Sequence, residues 1–191
     1  MWKSKTIACS ETDIIRYKQG ILKFGISREL KFNPNKEKFS EWMCDLLGKI
    51  PFKLKDSSIY DYKTYISQLI VNAYDAIASV YDPDINKKIP KDYIGLIKIE
   101  ITVEEEDTGP VLTFRIRDNG LGIKSANTAQ KRQKPTKYYG KDGDGFFYVF
   151  QFAHMMMGFI NIVISDKEEL NSNKMKTTAN LSIPLKHFKI N

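Results

Sequence analysis

Two short runs near the middle of the chain restrict its fold more than any other feature. In IKIEITVE, residues 97–104, Ile97, Ile99, Ile101 and Val103 alternate with Lys98, Glu100 and Thr102. In VLTFRIR, residues 111–117, Leu112, Phe114 and Ile116 repeat the alternation. A period of two is the side-chain repeat of a half-buried β-strand. The intervening EEDTGP reads as a turn, so the two strands form an antiparallel hairpin. That hairpin delivers the chain to Asp118-Asn119-Gly120-Leu121-Gly122-Ile123, a strand exit with two glycines that let backbone approach something closely.

Before the hairpin the period changes to that of a helix. Phe39, Trp42, Met43, Leu46 and Leu47 follow a start at Asn33-Pro34 and precede a stop at Gly48, which predicts a core-packing helix. A second helix is expected from about Ser58, as its cap, to Tyr81, with Pro83 ending it. On its wheel Gln68, Asn72, Asp75 and Ser79 form a narrow polar stripe opposite Ile66, Leu69, Ile70, Ala73, Ile77 and Val80. The stripe carries short amides and a carboxylate rather than lysine or glutamate. Such groups suit holding a metal ion, a water or a ligand at short range.

After DNGLGI, the stretch KSANTAQKRQKPTKYYGKDGDG has no periodicity and carries Lys131, Arg132, Lys134, Lys137 and Lys141. It reads either as a solvated loop or as a basic lid over a phosphate site. Gly140, Gly143 and Gly145 then open onto FFYVFQFAHMMMG, apolar nearly all round and therefore expected to be a buried helix closed by Gly158. His154 and the three methionines read as core fillers. Free amides at a helix start bind anions, and glycines let phosphate approach. Two further strands are expected in FINIVISD and MKTTANLSIPL. In residues 1–34 Gly20 and Gly25 interrupt a candidate short helix, IIRYKQGILKF, so extended and helical readings both stand. The stretch reads as an N-terminal arm or docking segment ahead of a domain over 35–191.

Length and composition bound the rest. At 191 residues the chain is one domain by length, able to bury a core. Its net charge of +7 favours anionic partners such as nucleotide phosphates, nucleic acid or a membrane surface. Cys9 and Cys44 cannot make a disulfide framework and lack metal-ligand spacing with His154 or His187. No apolar run approaches the roughly 20 residues needed to span a bilayer, and no signal peptide opens the chain. The expectation is a soluble, cytoplasmic protein with no membrane partner, although a specialised export signal would leave no mark of this kind. The basic residues gather in the lid, and no aromatic–basic nucleic-acid motif accompanies them.

Order and content together resemble the GHKL superfamily, the Bergerat-fold ATPases and kinases. QLIVNAYDAI looks like its asparagine box, DNGLGI matches the first glycine box, GKDGDGFFYVF is similar to the chaperone form of the second, and KTTANLSIP is similar to the closing strand. These motifs span about residues 58–185. The resemblance implies an α/β (α+β two-layer) sandwich, a mixed, mostly antiparallel sheet backed by helices, with ATP held between helix and lid. By position, Asn72 would coordinate magnesium and Asp118 would accept a hydrogen bond from the adenine amine. Gly122 would let the ring lie flat, Gly143 and Gly145 would present amides to phosphates, and Thr177 or Thr178 would support the adenine contact. Asp75, Gly120 and Lys141 complete the implied nucleotide-binding set.

Two departures qualify what the resemblance implies. Gln68 stands where the hydrolytic branches place a glutamate, and an amide is not a useful proton acceptor. A positioned general base contributes roughly 10²–10⁴-fold, so hydrolysis by that route should be slow or absent. The segment between the glycine boxes is also shorter than in the chaperones and nearer the histidine-kinase branch. The expectation is of a domain without a chaperone middle domain after it or a helical hairpin with a phospho-acceptor histidine before it. The resemblance therefore implies an ATP-binding domain acting on a separate protein by phosphoryl transfer or slow hydrolysis. The alternative is a catalytically inactive module that nucleotide switches. Either leaves room for a homodimer.

Overall fold

The computed structural model describes residues 11–18, 21–32, 36–56, 58–59, 61–86, 89–121, 145–165 and 174–190. Eight strands and three α-helices are formed among them: β1 (Glu11–Lys18), β2 (Ile21–Phe32), α1 (Lys36–Gly48), β3 (Phe52–Leu54), α2 (Tyr62–Val80), β4 (Gly95–Glu106), β5 (Gly109–Asp118), α3 (Gly145–Met155), β6 (Phe159–Ile164), β7 (Thr177–Pro184) and β8 (Phe188–Ile190). Six strands form one sheet in the order β1-β2-β4-β5-β7-β6, with β3 and β8 paired as a separate ribbon. Every pairing among the described residues is antiparallel. Helices lie on one face, giving the expected two-layer α/β sandwich.

The hairpin closes as its alternation predicts. Ile97 lies opposite Asp118 and Glu106 opposite Gly109, leaving Asp107 and Thr108 as the turn. Gly109 has a φ of 108°, a conformation in which a side chain would be strained. Ile97, Ile99, Ile101, Leu112, Phe114, Ile116, Leu181 and Ile183 form the buried face under α2. The other face is a polar ladder. Lys98 Nζ meets Glu29 at 2.8 Å, Arg115 Nη1 meets Glu100 at 3.3 Å, and Arg115 Nε donates to Asn180 at 2.9 Å. The hydrogen bond from Lys98 is the main reason that the Glu29 carboxyl titrates below its ordinary value. Exposed pairs of this kind contribute little stability each, but across strands they favour one register.

α2 is the centre of the second layer, with 11 of its 19 residues buried. Its cap is Asp61, whose carboxylate accepts the Lys63 N–H at 3.0 Å. Ser58, expected in that role, instead donates both its N–H and its hydroxyl to Asp56. The polar stripe of α2 is half-buried at Gln68, Asn72 and Ser79 and buried at Asp75. Asp75 is only 5% exposed, and the Ser79 hydroxyl donates to the Asp75 carbonyl of its own helix. α1 adds Phe39, which packs 4.2 Å from Tyr74.

Two segments depart from the sequence reading. Residues 21–32, grouped there with an arm, form an interior strand hydrogen-bonded to both β1 and β4. Phe24, Ile26 and Phe32 join the core, so the boundary expected after residue 34 falls inside the domain's packing. α3 is also one-sided rather than wholly buried. Phe146, Val149, Phe152 and Ala153 face inward, while Tyr148, His154 and Met155 are exposed. Of the three methionines only Met156 fills the core. None of the described helices is long and apolar enough to cross a membrane.

Candidate functional site

β5 ends beneath the C-terminal half of α2, and the local backbone explains why. After Asp118, the Asn119 N–H donates to the Leu96 carbonyl at 3.2 Å and the Leu121 N–H to the Ala76 carbonyl at 3.1 Å. Gly120 therefore lies directly against the backbone of α2. A Cβ there would overlap the Ala76 carbonyl carbon and come within 2.6 Å of the Ile77 nitrogen. Only glycine lets strand exit and helix approach so closely. Between them remains a small cavity of about 20 Å³, lined by Leu69, Asn72, Ala73, Ala76, Ile116, Asp118, Phe146, Thr177 and Ala179.

Asp118 is the charged group of this cavity. Burial raises its carboxyl from 3.8 to about 7, opposed by the Gly120 N–H, which donates to Oδ1 at 2.9 Å, and by Thr177. Thr177 lies directly across from Asp118 in the β5–β7 register. Its buried hydroxyl makes no geometrically formed hydrogen bond among the described residues, so it acts on Asp118 as a neighbouring dipole. Thr178, the other candidate, belongs to the outward row by strand alternation and pairs with Arg117. The geometry thus separates the two threonines.

From the helix side come Asn72 and Gln68, one turn apart. Both press toward the first residue of α3: a Cβ on Gly145 would lie 2.9 Å from Gln68 Oε1 and 3.4 Å from each polar atom of the Asn72 amide. The Asn72 amide nitrogen is buried with no hydrogen-bond partner among the described residues. An orphaned buried amide is costly, and it is the clearest local sign of a group shaped for something else. Asp75 is buried in the same helix but does not line the cavity. Gly122, Lys141, Gly143 and the basic segment between the glycine boxes lie outside the described residues. Among the described residues no cluster of three or more His, Cys, Asp or Glu is placed to hold a metal.

Sequence reasoning passed over the residue that fixes this geometry. Asn119 is 1% exposed. Its Oδ1 accepts the Leu96 N–H at 2.8 Å and its Nδ2 donates to the Ile94 carbonyl at 2.9 Å. The Tyr93 hydroxyl completes the set, reaching the Asn119 carbonyl at 3.0 Å and Oδ1 at 3.2 Å. Burial raises the Tyr93 hydroxyl far above its ordinary value, so it remains a donor at any working pH. In sequence, Asn-Gly reads as a turn. The only hint of more was its place directly after a strand-ending aspartate.

No family model and no curated protein matches this sequence. Among solved structures the chain is similar to "Mycobacterial sensor histidine kinase MprB", with 14% identity, coverage of 82% of this chain and 97% of that one, and a TM-score of 0.36.

Proposed function

We propose that the chain binds ATP with magnesium between α2, β5 and β7, as the resemblance to GHKL proteins implies, and acts on a separate protein. The observation that carries this reading is the convergence of Asp118, Thr177 and Asn72, from three different elements, on one cavity. Asp118 Oδ1 is already used by Gly120, which leaves Oδ2 to accept an N–H from a ligand. An adenine amine is such a donor, whereas guanine presents a carbonyl at the same ring position and would face the carboxylate with a lone pair. Donation to Asp118 favours its ionised form, so adenine binding releases a proton near neutral pH.

Asn72 would give one amide oxygen to magnesium, once the amide is turned so that its oxygen faces the ion; which way an amide points is assigned from its partners. Magnesium keeps most of its ligands from water and phosphate and would neutralise charge on the transferring group. The cavity of about 20 Å³ holds roughly one water. Nucleotide entry therefore requires Phe146 and the start of α3 to withdraw from α2, opening the approach of Gly145 to Gln68.

Gln68 favours a second reading alongside the first. Its amide can orient a water but cannot take its proton, so a nucleotide-switched binding module without turnover is the alternative. Thermal unfolding with ATP and magnesium, against GTP, tests binding first. Ligand at 100 times its Kd adds about 2.7 kcal/mol, and each kcal/mol moves the midpoint of such a domain by about 2–4 °C. A shift of several degrees with ATP alone is expected, and loss of that shift in Asn72→Ala. No shift with either nucleotide would overturn the reading. Gln68→Glu should raise ATP turnover. An unchanged rate with retained binding would move the non-catalytic module to the front.

A further inference from the structure

A second cavity lies at the opposite end of the sheet from Asp118, where the β4–β5 hairpin turns. It measures about 620 Å³ and is lined by Phe52, Pro110, Val111, Met157, Leu185 and Phe188, among others. That volume falls within the range of small-molecule sites. One side is the β3–β8 ribbon, in which Phe52 faces Ile190 and Leu54 faces Phe188. Lys186, in the turn before β8, is the one charged residue in the lining.

Three observations distinguish this cavity from a packing flaw. The first is charge. Lys53 and Lys189 stand directly opposite each other on the ribbon, and Lys55 hydrogen-bonds through its N–H to the His187 carbonyl. Lys31, Lys49, Lys98, Arg115 and Arg117 all meet carboxylates. Lys53, Lys55, Lys186 and Lys189 meet none among the described residues. By strand alternation Lys53 and Lys189 stand on the ribbon face away from the one that Phe52 and Phe188 turn to the cavity, so the positive field inside it comes from Lys186. Burial, then the charges of Lys186 and Lys55, lower the His187 imidazole below its ordinary value, so the field reaches the residue beside the lining.

The second observation is the rim. Met157 is 73% exposed and Ile190 47% exposed, both at the edge of an apolar hollow. The third is conformational. Met157 has a φ of 52°, the left-handed position after a helix where glycine or asparagine is the economical choice. A long apolar side chain there is held out over the cavity instead.

From this we infer that the cavity beneath the β3–β8 ribbon binds a small amphipathic anion, its apolar body against Phe52, Val111 and Phe188 and its carboxylate or phosphate at Lys186. On the opposite wall Glu104, Glu105 and Glu106 stand by register across from Val111, Pro110 and Gly109. None of the three lines the cavity. The mouth is thus polarised, and the sign of the head group decides which wall it meets. Binding here is independent of the site around Asp118.

Isothermal titration of the full chain with decyl phosphate, below its micelle concentration, tests the proposal directly. Decyl maltoside and decyltrimethylammonium supply neutral and cationic heads on the same chain, and inorganic phosphate supplies the head alone. Decyl phosphate is expected to bind one to one, with the neutral and cationic analogues weaker by roughly tenfold or more. Lys186→Glu, at an exposed position, should weaken decyl phosphate by about tenfold or more. Met157→Asp, at a site where aspartate accepts the backbone angle, should weaken it further. The unliganded thermal midpoint should stay within a few degrees in both variants. Equal affinity for all three head groups, tighter binding of the cation, or no effect of Lys186→Glu would overturn the proposal. So would binding to inorganic phosphate as tight as to decyl phosphate. Capture by anionic vesicles without binding of the monomer would replace it with a membrane surface.

Discussion

The two ends of the central sheet are built in opposite ways. At the Asp118 end, strand exit and helix backbone touch through Gly120, and the cavity left between them is about 20 Å³. Asn119, Tyr93 and backbone groups make a connected hydrogen-bond set there. At the hairpin end the cavity is about 620 Å³, its walls are apolar, and the nearby lysines lack ion pairs among the described residues. One end spends its polar groups on fixing geometry to a fraction of an ångström. The other leaves apolar surface and charge unspent. Precision and vacancy are different preparations for a ligand, and the protein keeps them at opposite ends of the same strands.

The comparison can be broken first at Asp118. A buried carboxyl raised from 3.8 to about 7 binds a proton in the folded state that the unfolded chain has already lost. Stability from this group is therefore greatest below the unfolded value and falls as pH rises from about 4 to about 7, by up to roughly 4 kcal/mol. Asp118→Asn keeps an acceptor for Gly120 and removes the titration. Denaturant melts at pH 8 should show the variant more stable than the parent by a few kcal/mol, and the difference should vanish toward pH 4. The same variant places an amide NH₂ where Oδ2 was, so it should lose the ATP shift while becoming more stable.

Next in size is Asn119→Ala. It strands the Leu96 N–H and the Ile94 carbonyl, and each buried unpaired group costs about 1–3 kcal/mol. A loss of about 3 kcal/mol by chemical denaturation is expected, accompanied by faster exchange of the Leu96 amide. The paired glycines sharpen the contrast further. Gly120→Ala meets backbone and should cost about 2–3 kcal/mol. Gly109→Ala has nothing within 4 Å and meets only its own φ of 108°, so about 1 kcal/mol is expected. Equal costs would show that the close approach at Gly120 relaxes easily. The smallest effect belongs to the ribbon. Lys53→Glu turns a repelling pair with Lys189 into an attractive one and should stabilise by about 0.5 kcal/mol, diminishing in salt.

Much of this was readable from local pattern. The hairpin, α1, α2, β6 and β7 follow periods that the residues themselves carry, because each element buries one face whatever its neighbours are. β2 was readable too, though its extended reading stood beside a helical one: Leu22, Phe24, Ile26, Leu30 and Phe32 alternate across ILKFGISRELKF. Arg28 breaks the alternation as a charge on the core side, where it is only 2% exposed, and Gly25 reads as an interruption. In a strand paired on both sides neither prevents the ladder. The candidate site was legible as a set of residue types, Asn72, Asp118 and Gly120, but not as a shape.

Sequence by itself determined the elements and their apolar faces, since hydrophobic burial is written in spacing. Tertiary structure alone decided which polar groups meet. It chose Thr177 over Thr178, because pairing β7 with β5 turns one hydroxyl toward Asp118 and the next away. It turned α3 into a one-sided helix, because only one of its faces packs on the core and Tyr148 and Met155 stay exposed. It also left a large apolar hollow beside lysines that meet no carboxylate among the described residues. Local periodicity has no access to such features, because they depend on distances between residues far apart in the chain, such as Asp118 and Thr177 or Phe52 and Ile190.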